Sequence, residues 1–157
     1  MTRTVSFATL GCRLNQVDTR EMQGLLEARG FRTVPFEEPA DVVVVNTCTV
    51  TGRAEFSDRQ AIRRAARVSP DARLVVTGCW AQMSPEAVAA TAGVDLVIGN
   101  GDKPRLPDLL ERLFGTGGRA GRAHVEVAPI GETRSVPLAP LARVAGRSRA
   151  FLKVQDG

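Results

Sequence analysis

The chain has 157 residues, a net charge of +4 carried almost wholly by arginine, and a 43% hydrophobic share in which six Phe and one Trp are the only aromatics. That is one ordinary domain, long enough to bury a core packed by Val, Leu and Ala. No apolar run approaches the roughly 18 residues of a membrane span, and the N-terminus lacks the basic-then-apolar layout of a signal peptide. The expectation is a cytoplasmic protein with no membrane partner. The positive balance suits an anionic partner such as RNA without requiring one.

Val5 to Thr9 reads as a short strand leading into Leu10-Gly11-Cys12. Asn15 is the expected N-cap of a helix, with Asp18 in its first turn where a carboxylate suits the dipole. Met22, Leu25 and Leu26 give an apolar stripe at helical spacing, and Arg29-Gly30 ends the helix. Phe31 to Val34 is a candidate second strand, followed by a loop from Pro35 to Pro39. Val42 to Val45 are four consecutive valines, the pattern of a strand buried on both faces, as in a parallel sheet. The run stops at Asn46-Thr47, just before Cys48.

Ser57 and Gln60 match a capping box, which predicts a helix from there to about Val68, stopped by Pro70. Leu74 to Thr77 is a strand leading into Gly78-Cys79. Ser84-Pro85-Glu86 starts a short helix that closes at Gly93. Val94 to Ile98 is the next strand, and Gly99-Asn100-Gly101 turns into a helix ending near Phe114, with Pro107 tolerated in the opening turn. Strands alternating with helices predict an α/β fold: an open, mostly parallel sheet flanked by helices over residues 1–115.

Residues 116–149 read as a linker rich in Gly, Pro and Arg, with a short strand at His124 to Val127. Gly115-Thr116-Gly117-Gly118-Arg119 follows a helix and lacks a Gly-Lys-Ser/Thr ending, so the context of a phosphate loop is missing. Residues 150–157, with Ala150 to Val154 strand-like, read as the first strand of a second domain cut short.

The three cysteines, Cys12, Cys48 and Cys79, each lie two to three residues beyond a predicted strand. Ligands of open α/β sheets bind outside the carboxyl ends of the strands, so the pattern points to three converging thiols. Structural disulfides are rare in the cytoplasm, and three cysteines cannot all pair within one chain. Metal binding and plain burial as small hydrophobes both remain open. A cubane iron–sulfur cluster offers four iron corners, of which three thiolates would fill three. A closed zinc site would want a fourth ligand, and the only histidine, His124, falls in the expected linker.

Thr9-Leu10-Gly11-Cys12-Arg13-Leu14-Asn15-Gln16, Asn46-Thr47-Cys48-Thr49-Val50-Thr51 and Val76-Thr77-Gly78-Cys79-Trp80-Ala81-Gln82 resemble the three signature segments of the radical S-adenosylmethionine methylthiotransferases. The resemblance spans about residues 3 to 114 and implies that family's N-terminal domain. It implies further that Cys12, Cys48 and Cys79 bind an auxiliary 4Fe–4S cluster whose open iron carries the sulfur to be transferred. The second and third segments, with Arg59-Gln60-Ala61-Ile62-Arg63-Arg64, resemble the branch that methylthiolates threonylcarbamoyladenosine in tRNA. The isopentenyladenosine-tRNA and ribosomal-protein branches are the alternatives within the family.

A catalytic domain with a C-x-x-x-C-x-x-C segment, binding a second 4Fe–4S cluster and S-adenosylmethionine, is expected to follow Phe151 to Gly157, and this chain alone is expected to be inert. A monomer is expected. A reading of another class is a non-enzymatic, Rossmann-like nucleotide-binding module whose cysteines are buried.

Asn46 and Thr47 are candidates to donate hydrogen bonds toward the cluster sulfurs, with Gly78 also beside the cluster. Arg59, Arg63 and Arg67 share one helix face, with Arg64 adjoining. That face suits tRNA phosphates, and equally a solvated surface opposite Ile62, Ala65 and Ala66. Trp80, beside Cys79, either shields the site or packs against a helix.

Overall fold

The valine run forms a strand, β3 (Val42–Thr47), buried at every one of its positions. A strand buried on both faces needs a layer on each side, and the rest of the chain supplies them. The computed structural model describes residues 2–11, 13–48, 52–115 and 123–127. Before β3 come β1 (Thr4–Thr9), α1 (Arg13–Ala28) and β2 (Arg32–Thr33). After it come α2 (Gly52–Val68), β4 (Arg73–Gly78), α3 (Cys79–Met83), α4 (Pro85–Ala89) and β5 (Leu96–Ile98). A 3-10 segment, Asn100–Arg105, leads into α5 (Leu106–Gly115), and β6 (His124–Glu126) ends the described part.

The strands form one sheet in the order β2-β1-β3-β4-β5-β6, and every pairing is parallel. The open parallel α/β architecture expected from the sequence is the one observed. Met22 and Leu26 of α1 and Leu106, Leu109 and Leu110 of α5 pack on one face, against Val42, Val44, Val75 and Ile98. Ile62 and Ala65 of α2, Trp80 and Ala81 of α3 and Val88 of α4 cover the other, against Val43, Val45, Val76 and Val97. The strand order changes direction between β1 and β3. Sheets of this doubly wound kind open a ligand crevice at that switch, beyond the carboxyl ends.

Several local expectations are corrected. Asn15 is not a helix cap: α1 begins at Arg13, and the Asn15 side chain is buried inside the helix, donating hydrogen bonds elsewhere. Asp18 is likewise past the first turn, and its partner is Lys103, 2.5 Å away and equally buried. The second helix starts at Gly52, so Ser57 is interior and caps nothing. The helix starting at Cys79 is one the sequence reading left out, because five residues are too few to show a period. The strand expected at His124 to Val127 is β6, paired to β5. Residues 116–122, 128–149 and 150–157 lie outside the described residues.

The Asp18–Lys103 pair joins α1 to the 3-10 segment across 85 positions of sequence. A buried ion pair is costly to split, because the remaining charge is left desolvated without its partner. Asp18→Ala is expected to lower unfolding stability by about 3–5 kcal/mol in a denaturant titration.

Candidate functional site

The register of the sheet builds the site. Thr9 of β1 lies opposite Asn46 of β3, and Asn46 opposite Thr77 of β4. One residue further on, Thr47 lies opposite Gly78. Cys48 directly follows Thr47, and Cys79 directly follows Gly78. The residues preceding two of the cysteines are therefore paired neighbours on adjacent strands. Cys48 is buried and Cys79 partly exposed.

Cys12 lies outside the described residues, but Gly11 before it does not. A Cβ built on Gly11 would stand 2.6 Å from Cβ of Cys48 and 2.8 Å from its Sγ. The backbone entering Cys12 thus touches the Cys48 side chain, an approach that any residue but glycine would block. Gly11 also takes a φ of +89°, a left-handed value that favours glycine. Gly78 repeats the arrangement more severely, with φ 98° and ψ −165°, a region open essentially to glycine alone. A Cβ there would lie 2.3 Å from the Thr47 carbonyl oxygen and 2.7 Å from Oδ1 of Asn46.

The polar residues around these turns hold the strand ends together. The Asn15 amide donates to the carbonyls of Leu10, at 2.7 Å, and Thr47, at 2.8 Å. The amide of Asn46 donates to the Asn15 carbonyl and to Oγ1 of Thr19, and the Thr47 hydroxyl donates to the Thr77 carbonyl at 2.6 Å. The donors that the sequence suggested for cluster sulfurs are thus engaged within the protein. Asn15 was not singled out for this; its position three residues after Cys12 is the only signal the sequence offers.

Asp58 was also missed. It is fully buried on α2, and its Oδ1 accepts the backbone N–H of Cys48 at 3.2 Å. Its Oδ2 has no hydrogen-bond partner among the described residues. Burial pushes the carboxyl up to about 7, against the lowering effect of the Cys48 N–H.

The three arginines separate. The Arg59 guanidinium lies 5.1 Å from the centre of the Trp80 ring, and its Nη2 is 2.9 Å from Oε1 of Glu55. Arg63 and Arg67, with Arg64, instead line a groove of about 950 Å³ between α2 and β1 whose floor includes Ala8, Leu10 and Phe36. Trp80 is buried in the core beneath α2, which is the packing reading. His124 pairs with Leu96, the first residue of β5, so it sits at the opposite end of the sheet from the cysteines. Its ring nitrogen is 2.8 Å from Glu126, whose carboxyl this contact holds below the usual range. Among the described residues no group of three or more His, Cys, Asp or Glu side chains is arranged to hold a metal ion. Cys12 is outside that set.

The fold is an open parallel sheet whose order reverses between β1 and β3, and ligand crevices of such sheets lie beyond the carboxyl ends of the strands. The model of Uncharacterized protein family UPF0004 matches residues 4–99, and the chain belongs to that family. It is 38% identical over 155 residues to the threonylcarbamoyladenosine tRNA methylthiotransferase MtaB of Bacillus subtilis (strain 168), an alignment covering 98% of this chain and 33% of that protein. The protein of the same name from Aquifex aeolicus (strain VF5) is 41% identical over 153 residues, covering 98% and 36%. The ribosomal protein uS12 methylthiotransferase RimO of Roseiflexus castenholzii is 34% identical over 173 residues, covering 98% and 36%. The chain spans about a third of the length of the curated relatives it matches. The likeness to methylthiotransferases drawn from the three cysteine segments is borne out. No helix among the described residues is long and apolar enough to cross a membrane.

Two outcomes follow from these turns. Gly78→Ala combines a forbidden backbone conformation with a backbone collision, and is expected to cost about 3 kcal/mol or more in chemical denaturation. For Asp58 the folded state binds its proton more tightly than the unfolded state does. The metal-free chain should therefore lose stability as pH rises from about 4 to about 7, by at most about 1.4 kcal/mol per pH unit, and level off beyond. Asp58→Asn is expected to flatten that slope in melts recorded across the window.

Proposed function

We propose that this chain is the N-terminal domain of a tRNA methylthiotransferase acting on threonylcarbamoyladenosine, and that Cys12, Cys48 and Cys79 hold a 4Fe–4S cluster. One observation carries the reading. Thr47 and Gly78, each directly before a cysteine, are opposed in the sheet, while Gly11, directly before the third, abuts the Cys48 side chain. The donor set fits, since thiolates are the usual ligands of such clusters and three of them leave one iron open. The assignment to this branch is supported by the 38% and 41% identities to two proteins named for that reaction.

The bound cluster would supply the sulfur for transfer to the adenine ring, and a radical S-adenosylmethionine domain, with its own 4Fe–4S cluster, would activate that ring. This chain's own residues bind and orient. The three thiolates are ligands rather than nucleophiles or acids. Asn15 and Thr47 keep the strand ends in register. Burial of Cys48 limits water at one ligand. Arg63 and Arg67, exposed on the groove wall, would meet tRNA phosphates. Arg59 is engaged with Glu55 and Trp80, which suits it less to that task. A monomer in the cytoplasm completes the reading.

The test is anaerobic reconstitution with iron and sulfide. The chain is expected to take up about four irons and a broad visible charge-transfer band, and Cys48→Ala to lose most of both. A folded chain that stays colourless would favour simple burial of the thiols.

A further inference from the structure

Asp58 and Arg59 are consecutive on α2, yet each reaches a different cysteine turn. Asp58 accepts the backbone N–H of Cys48. Arg59 lies over the ring of Trp80, the residue after Cys79. We propose that Asp58 and Arg59 are positioning residues for the cysteine site: a single turn of α2 grips the backbone at Cys48 and the side chain beside Cys79, and so sets the spacing of the two thiols. The inference rests on the cluster reading above.

Three observations support it. A buried carboxylate is an expensive way to fill space, since its desolvation must be offset by hydrogen bonds. Asp58 is fully buried, and Oδ2 has no hydrogen-bond partner among the described residues. An apolar residue would serve the packing better, so the placement is explained by what Oδ1 holds. The Arg59 guanidinium is itself held from the preceding turn, with Nε at 3.3 Å and Nη2 at 2.9 Å from Oε1 of Glu55. A planar, doubly held guanidinium is a stiffer brace over an aromatic ring than a lysine ammonium. Finally, Trp80 is 2% exposed, so the ring that Arg59 covers is fixed by the core and can transmit the constraint to Cys79.

The residues gripped are the backbone of Cys48 and the neighbour of Cys79, not the sulfurs. The role is therefore geometric. Groups that orient metal ligands typically contribute about 10- to 100-fold in metal affinity. A contact between a cation and an aromatic ring near the surface contributes less, about two- to fivefold.

The experiment compares the 157-residue chain with Asp58→Ala, Asp58→Asn, Arg59→Ala and Arg59→Lys. Each is reconstituted anaerobically, and iron release to a chelator is followed in the visible spectrum. Far-UV circular dichroism melts of the metal-free chains report folding separately. Asp58→Ala is expected to release iron about 10- to 100-fold faster, while Asp58→Asn, which keeps an acceptor for the Cys48 N–H, stays near the parent rate. Arg59→Ala is expected to release about two- to fivefold faster with an unchanged melt, and Arg59→Lys to fall between.

Parent-like release from Asp58→Ala, or release from Asp58→Asn as fast as from Asp58→Ala, would overturn the inference while leaving the cluster reading intact. Should Asp58→Ala fail to fold, parent-like release from Arg59→Ala overturns it instead, since the partly exposed Arg59 can be removed without emptying the core. A folded parent chain that takes up no iron overturns the cluster reading and this inference together.

Discussion

The site depends on how closely β3 and β4 approach each other at their carboxyl ends. Gly78 has no side chain, and the space a methyl group would need is filled by the backbone of Thr47 and the amide of Asn46. That contact lies where the two strands stay paired to the last residue before each cysteine. The Thr47 hydroxyl reinforces it by donating across to the Thr77 carbonyl. Asn15 extends the same tie to the third strand, bridging the carbonyls of Leu10 and Thr47. The three strand ends form one rim, tied by hydrogen bonds of Asn15, Asn46 and Thr47. A rim built this way is shaped before any ligand arrives, which lowers the ordering cost of binding one.

Helix α2 serves the rest of the molecule in strips. Ile62 and Ala65 bury into the layer under Val43, Val45 and Val76. Asp58 and Arg59, about one turn earlier, face the cysteine turns. Arg63, Arg64 and Arg67 face the groove beside β1. The 3.6-residue period distributes these duties around one cylinder. A change at one strip is therefore felt mainly by the neighbours of that strip, and the core, the rim and the outer groove can vary with some independence.

The sheet was legible because its signals are local. Val42 to Val45 and Leu74 to Val76 are continuous apolar runs, and each is followed at short range by a cysteine. The Gly-Cys steps were legible too, although only the structure shows why glycine stands at positions 11 and 78. What escaped was every feature that depends on distant partners. Asn15 matches a capping residue by local chemistry, and its true partners include Thr47, 32 positions away. Asp18 looks like a first-turn acid until Lys103 is brought to it by the sheet. Ser57 and Gln60 satisfy a capping box, but Glu55 and Asp58 belong to the same helix, which had begun at Gly52. Local hydrogen-bonding residues are ambiguous by nature, since the groups that cap helices also tie strands together.

Trp80 gives the molecule an unplanned property. It is the only tryptophan, and there is no tyrosine. The near-ultraviolet emission of this 157-residue chain therefore comes from one buried indole, next in chain to Cys79 and covered by the Arg59 guanidinium. Its colour and intensity report on the core layer beside Cys79, whereas far-ultraviolet dichroism averages over every helix and strand. Two probes with such different fields of view separate a layer that loosens first from a domain that opens all at once. The protein carries a built-in fluorescent gauge at the point where its geometry matters most.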